Sequence, residues 1–89
     1  MLMSNTTFPK WYDGPKFEGR EVTNPYSGAK RELNDVEFSI YAMIINTERD
    51  VELNGGAFNP ATAELQKKMA KGIAWFRQHS VDAYFDLID

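Results

Sequence analysis

The sequence predicts a mainly α-helical fold with a minor β component: a long helical hairpin and a short C-terminal helix, preceded by an aromatic arm and a two-stranded β-hairpin. Two segments, 34–54 and 59–79, carry apolar residues at helical spacing. The connection between them contains the stop signal of one helix and the start signal of the next. Ahead of them, the stretch 20–33 places two strand-like segments on either side of a loop with Pro and Gly.

Length and composition restrict the chain to one domain, residues 1–89, that needs good packing or a partner to be stable. A chain of 89 residues buries only somewhat more than about 60% of its unfolded surface. The chain has no Cys and a single His, which excludes disulfides and thiolate metal sites. Its aromatic content of 13% supplies large rings, which give a small core the most buried area per residue. We expect no metal and no cofactor.

Charge and apolar patterning indicate a cytoplasmic protein without a membrane partner. No apolar run approaches the roughly 18 residues of a membrane span. Residues 1–5 lack the basic and apolar regions of a signal peptide. The net charge of −3 argues against nucleic acid as a partner, because such binding requires Lys and Arg to neutralise phosphates.

The charge is unevenly distributed along the chain. Residues 10–31 hold five basic and three acidic residues, whereas residues 35–52 hold one basic and five acidic residues. This polarity would orient two chains against each other, and solvated faces explain it equally well.

Residues 1–19 are predicted to form an irregular arm. Aromatic residues are interspersed there with the turn formers Pro9, Gly14 and Pro15, without a helical or strand period. We expect the rings to pack on the body of the domain or on a neighbouring chain.

Residues 20–33 are predicted to form the β-hairpin, with strands at 20–23 and 29–33 and a five-residue loop between them. Pro25 sets φ for the second turn position, and Gly28 supplies the positive φ with which the returning strand begins. Because two strands alone are marginally stable in water, the hairpin must pack on the helices.

The first long helix, 34–54, begins with a capping box, in which Asn34 caps the helix and Glu37 reaches back to Asn34. Stepping 100° per residue, an inner stripe falls within one sector: Val36, Ile40, Met43, Ile44, Thr47 and Val51. A second stripe, formed by Phe38, Tyr41 and Ile45, lies on the adjoining side. A surface helix normally shows one apolar stripe, so the second stripe predicts a central helix or a contact with a second subunit.

The connection 54–60 predicts a tight helical hairpin. Gly55, just past the first helix, accepts a left-handed backbone. Asn59 offers a side-chain oxygen to cap the next helix, and Pro60 suits its first position because Pro has no N–H group.

The second helix, 59–79, shows a single apolar stripe. Its members are Thr62, Leu65, Met69, Gly72, Ile73 and Phe76. Gly72 within this stripe indicates that another backbone or ring approaches closely. Ser80 either caps a separate short helix, 80–89, or marks a kink in one longer helix.

Three features suggest chemistry, and a structural role explains each of them better. His79 has no evident nucleophile or orienting carboxylate, and a cation is favoured at a helix C-terminus. Glu48 and Glu52 lack the further oxygen ligands that Ca²⁺ or Mg²⁺ requires. Gly55-Gly56 precedes a helix without the Lys and Ser or Thr of a P-loop. We therefore predict that the chain is not an enzyme and has no catalytic residue.

A nucleic-acid-binding protein is the alternative prediction. Basic and aromatic residues are interleaved in the N-terminal region, as they are in proteins that bind single strands. The candidate contacts are Lys10, Trp11, Lys16, Arg20, Lys30 and Arg31. A hydrophobic arm packed on its own fold predicts the same arm residues, and we favour that interpretation.

Two stretches resemble small proteins encoded by marine bacteriophages and found in marine metagenomes. They are Asn24-Pro25-Tyr26-Ser27-Gly28, followed by a basic strand and an acidic-capped helix, and Gly72-Ile73-Ala74-Trp75-Phe76-Arg77-Gln78-His79 with the ending Tyr84-Phe85-Asp86-Leu87-Ile88-Asp89. The resemblance begins at the hairpin and excludes the arm. It implies a phage-encoded protein in the host cytoplasm, and it transfers no catalytic residue.

These patterns together predict a small accessory or interaction protein that does not catalyse a reaction. We expect it to form a homodimer or to bind another protein, because the helix 34–54 has two apolar stripes on a chain too short to cover both. The predicted interface includes Phe38, Tyr41 or Ile45.

Overall fold

Two long helices pack against each other and supply most of the core. The computed structural model describes residues 6–88, which fold as β1 (Arg20–Thr23), β2 (Lys30–Leu33), α1 (Asp35–Leu53), α2 (Ala63–His79) and α3 (Val81–Ala83). A 3₁₀ turn, Pro60–Thr62, precedes α2, and a π-helical turn, Tyr84–Ile88, follows α3. The predicted fold class is confirmed. Residues 1–5 of the predicted arm and residue 89 of the predicted last helix lie outside the described residues.

The first long helix begins at the predicted capping box. The Glu37 backbone N–H donates to Asn34 Oδ1 over 2.8 Å, and the Asn34 N–H donates to Glu37 Oε1 over 3.0 Å. These two bonds satisfy N–H groups that have no partner within the helix, so the start of α1 is firmly defined.

The connection between α1 and α2 is as tight as its residues predict. Gly55 and Gly56 both take positive φ, of 103° and 83°. Asn59 caps the 3₁₀ turn by accepting the Ala61 N–H over 3.0 Å, with Pro60 next to it. The 3₁₀ turn itself is a detail that the helical periodicity does not reveal, because both helix types place apolar residues at similar spacing.

The inner stripe of α1 lies in the core. Val36, Ile40, Met43, Ile44, Thr47 and Val51 are all buried. From α2, Gly72, Trp75 and Phe76 face them, and Trp75 is a core residue that the predicted stripe of α2 did not include. A Cβ atom on Gly72 would lie 2.7 Å from Ile44 Cγ1 and 2.8 Å from Met43 Cε. The predicted close approach at Gly72 is therefore made by α1 side chains.

The β-hairpin packs on the C-terminal segment 81–88. The strands pair antiparallel, with Arg20 opposite Leu33 and Thr23 opposite Lys30, and Gly28 takes a φ of 77° as predicted. Arg31 Nε donates to Asp86 Oδ2 over 2.6 Å, and Asn24 Nδ2 donates to the Asp86 backbone oxygen over 2.8 Å.

Ser80 separates α2 from the C-terminal segment. Of the two alternatives that the sequence left open, a separate short helix or one longer kinked helix, the structure shows the separate segment. Its φ and ψ of −148° and 58° are not helical. Its hydroxyl does not cap α3, as the sequence pattern had suggested; it donates instead to Glu37 Oε2 over 2.6 Å. Glu37 thus connects the start of α1 to the end of α2.

The aromatic arm folds back onto the body of the domain. Tyr12 is only 9% exposed and belongs to the core. Its hydroxyl contacts the backbone oxygens of Pro15 and Ser39, the latter at 3.4 Å. Further along, the Phe17 N–H donates to Ser39 Oγ over 2.8 Å. The arm therefore crosses α1 near its first turns and covers part of its second stripe.

Candidate interaction surfaces

One candidate surface is the second stripe of α1, called here the outer face and defined by Phe38, Tyr41 and Ile45. The Phe17 ring of the arm meets the Phe38 ring edge-on, with centroids 6.1 Å apart. The Arg20 guanidinium lies over the Phe38 ring at 4.6 Å from its centroid. The chain itself thus covers the N-terminal end of the outer face.

The rest of the outer face is only partly covered. Ile45 is 39% exposed, and Phe17, which borders the face, is 40% exposed. Tyr41 is half-buried beside Phe38, with ring centroids 6.5 Å apart. Burial, and secondarily the nearby Glu48 carboxylate, raise the pKa of the Tyr41 phenol. An apolar strip therefore remains exposed after the arm has packed, formed by Ile45 on α1 and Phe17 on the arm.

The outer face carries opposite charges at its two ends. Arg20 lies over Phe38 at the N-terminal end. Glu48, Arg49 and Glu52 are exposed and fall on the same side of the helix in the last turns, at 100° per residue. The face thus runs from a cation at one end to a predominantly acidic group at the other.

A second candidate surface is a groove between the arm and α2, called here the arm groove. It consists of two adjoining cavities, of about 420 and 300 Å³, that share Trp11 and Lys71. The side chains that give the groove its chemical character are Lys10, Trp11, Lys67, Lys68, Lys71 and His79. Asp13 and Glu64 supply the carboxylates of the lining.

The arm groove is basic although the chain is acidic. Four lysines face two carboxylates there, whereas the whole chain has a net charge of −3. Lys67 pairs with Glu64 at 3.3 Å. Among residues 6–88, Lys10, Lys68 and Lys71 form no ion pair. A cationic groove between low-dielectric walls attracts anions.

The structure distributes the predicted nucleic-acid contacts over several environments. Lys10 and Trp11 line the arm groove. Lys16 lies over the Phe8 ring at 4.9 Å, and Arg20 lies over Phe38.

The two predicted contacts on β2 lie elsewhere. Lys30 is exposed at the end of β2 beside the hairpin loop. Arg31 is neutralised by Asp86, at 2.6 Å, and approaches Asp82 at 4.0 Å. The lysines of α2 that join Lys10 in the arm groove were not among the predicted contacts. Their signal in the sequence was the clustering of Lys67, Lys68 and Lys71 on the polar side of α2.

The residues considered for chemistry have structural partners or face solvent. The His79 ring stacks on Trp75, with centroids 5.0 Å apart and planes at 8°, and its Nδ1 lies 3.0 Å from the Trp75 backbone oxygen. Glu48 and Glu52 are exposed. Within residues 6–88, no group of three or more His, Cys, Asp or Glu side chains is arranged to hold a metal ion. None of the helices in this range combines the length and the apolar character that crossing a membrane requires.

The chain matches no protein-family model, and no curated protein or solved structure matches it.

Proposed function

We propose that the protein is a small, non-catalytic interaction protein that associates with itself through the outer face of α1. One observation carries this proposal: after the arm has packed, Ile45 on α1 and Phe17 on the arm still expose an apolar strip along the outer face. Burying about 25 cal/mol per Å² of apolar surface favours covering such a strip. A second copy of the chain carries the same strip, so two copies can bury each other's exposed apolar surface.

An antiparallel pairing of two outer faces also satisfies their charges. With Ile45 at the two-fold axis, Phe38 and Glu52 lie seven residues to either side, about 10 Å along the helix. Arg20, which covers Phe38, then faces the partner's Glu52, and the same contact recurs on the other side of the axis. The uneven charge of the chain thereby selects one orientation of the dimer.

The cellular setting in this proposal comes from the resemblance of the sequence to small proteins encoded by marine bacteriophages. A phage-encoded accessory protein acting in the host cytoplasm would need only a binding surface, and the outer face supplies one. Both the setting and the absence of catalysis belong to the proposal.

Sedimentation equilibrium tests the association. We expect a concentration-dependent dimer for the wild type and a rise in the dimer Kd of about 30-fold or more for Ile45→Glu, because a charge at the centre of an apolar interface removes a hot spot. Leu53→Glu is the matched control, since Leu53 lies on the same helix, is 77% exposed and is outside the outer face. A wild type that stays monomeric at every accessible concentration would refute the proposal.

The orientation has its own test. Arg20→Glu alone should weaken the dimer, because it places like charges opposite each other. Adding Glu52→Arg should restore the dimer, since the pair is then reversed. If the double variant is as weak as the single one, the antiparallel pairing is wrong even where a dimer forms.

A further inference from the structure

Within residues 6–88, the arm groove gathers three lysines that form no ion pair, in a chain that is acidic as a whole. It has no part in the proposed dimer, whose contacts are made by the outer face of α1 and by Arg20. The lysines of α2 reach it from one wall and Lys10 from the other. Because they come from segments more than fifty positions apart, tertiary packing and not local sequence creates this cluster.

Trp11 occupies the middle of the groove. It lines both cavities, is partly exposed and is supported by Tyr12, whose ring meets it edge-on with centroids 6.2 Å apart. Tyr12 is anchored in the core. The indole thus lies where the two cavities adjoin: Lys71 lines both of them, Lys10 lines the cavity of about 420 Å³, and Lys67 and Lys68 line the cavity of about 300 Å³.

We propose that the arm groove binds single-stranded nucleic acid, with phosphates at Lys10, Lys68 and Lys71 and a base stacked on Trp11. Lys side chains act as point charges toward phosphates. An aromatic ring stacks on any unpaired base, which a duplex does not offer. An acidic peptide satisfies the lysines and leaves the indole unused, so the combination of Trp11 with three unpaired lysines favours the nucleic acid.

Fluorescence anisotropy with a labelled oligothymidylate tests the phosphate contacts. Three neutralised phosphates give a slope of log K against log salt of about −2, a loss of affinity of about 20-fold between about 50 and 200 mM salt. Lys71→Gln should reduce the magnitude of this slope by about 0.7. Lys30→Gln is the matched control, because Lys30 is an exposed lysine away from the groove, and it should leave the slope unchanged.

Tryptophan fluorescence tests the stacking. Trp75 also lines the groove but is only 4% exposed, so the quenching by an unlabelled oligonucleotide that is lost on removal of the Trp11 indole reports Trp11. Trp11→Ala should lower the affinity by about 5- to 150-fold. Because this change also removes packing from the arm, Trp11→Phe serves as a second variant: it should lose the quenching and keep most of the affinity.

Several results would overturn this inference. These are absence of binding at about 50 mM salt, equal effects of Lys71→Gln and Lys30→Gln, binding without quenching of Trp11, or binding of duplex DNA or polyglutamate as tight as that of the single strand. The monomeric variant Ile45→Glu should bind like the wild type. Failure of the dimer and failure of the groove are therefore separate outcomes.

Discussion

At the scale of single residues, Gly72 shows how closely the two long helices approach. Gly in a helix interior costs about 1 kcal/mol relative to Ala. Here that cost is offset, because any side chain at this position would overlap Met43 and Ile44 of α1. The position therefore tolerates no added volume, although Ala would have a higher helix propensity there than Gly.

We expect Gly72→Val to lower the free energy of unfolding by about 1–3 kcal/mol, since overpacking moves Ile44 from its position. Ala70→Val on the exposed side of α2 is the control and should cost only about 0.6 kcal/mol through helix propensity. Urea denaturation of both variants measures the difference. Equal effects at the two positions would mean that the α1–α2 contact at Gly72 is looser than described.

At the scale of elements, Glu37 connects two helices that are distant in sequence. One carboxylate oxygen completes the capping box of α1, and the other accepts the Ser80 hydroxyl at the end of α2. The break in the chain at Ser80 is thereby held against α1, and this break places the segment 81–88 under the β-hairpin. The second contact of Glu37 thus lies at the residue where α2 ends.

Ser80→Ala should therefore destabilise the fold by about 1.5–2 kcal/mol, because a hydrogen bond to a carboxylate is lost in a half-buried site. Ser27→Ala, which changes an exposed hydroxyl in the hairpin loop, should cost less than about 0.5 kcal/mol. Thermal or urea unfolding gives both values. A Ser80→Ala variant as stable as Ser27→Ala would show that the hydrogen bond between Ser80 and Glu37 does not stabilise the fold.

At the scale of the whole molecule, the two phenols at the arm and the outer face make stability depend on alkaline pH. Burial raises the pKa of Tyr12, with a smaller contribution from the Asp13 carboxylate, and burial raises the pKa of Tyr41. The folded chain then binds the phenolic proton more tightly than the unfolded chain does. This stabilisation is complete below the ordinary pKa of 10.0 and is lost as the pH rises through the folded values.

We expect the free energy of unfolding to fall above about pH 10 and to fall less steeply in the Tyr12→Phe, Tyr41→Phe double variant. The two proteins differ only at positions 12 and 41, so the difference between the two curves isolates these two phenols. Urea denaturation at a series of pH values between neutrality and strong alkali provides the curves. Parallel curves would show that neither phenol changes its environment on folding.

The sequence by itself determined the two long helices, the β-hairpin and the signals at several of their ends. The capping box at Asn34, the glycines at 55 and 56 and the turn at Gly28 act through their own backbone and near neighbours, so their signals are local and readable. The inner stripe of α1 was likewise evident, because burial on one helix face imposes a helical period.

Only the tertiary structure decided which surfaces remain open and which charges meet. Gly19 is one such case: a Cβ atom there would lie 2.8 Å from the Asn34 carbonyl carbon, a contact between segments that no periodicity predicts. Ser80 binding Glu37, Arg31 binding Asp86 and Lys10 joining the lysines of α2 are others. Each of these contacts joins residues that are distant in sequence. Loop geometry and packing decide which of them come together. The tertiary structure likewise determined both candidate surfaces, because the arm covers part of the outer face of α1 and forms one wall of the arm groove.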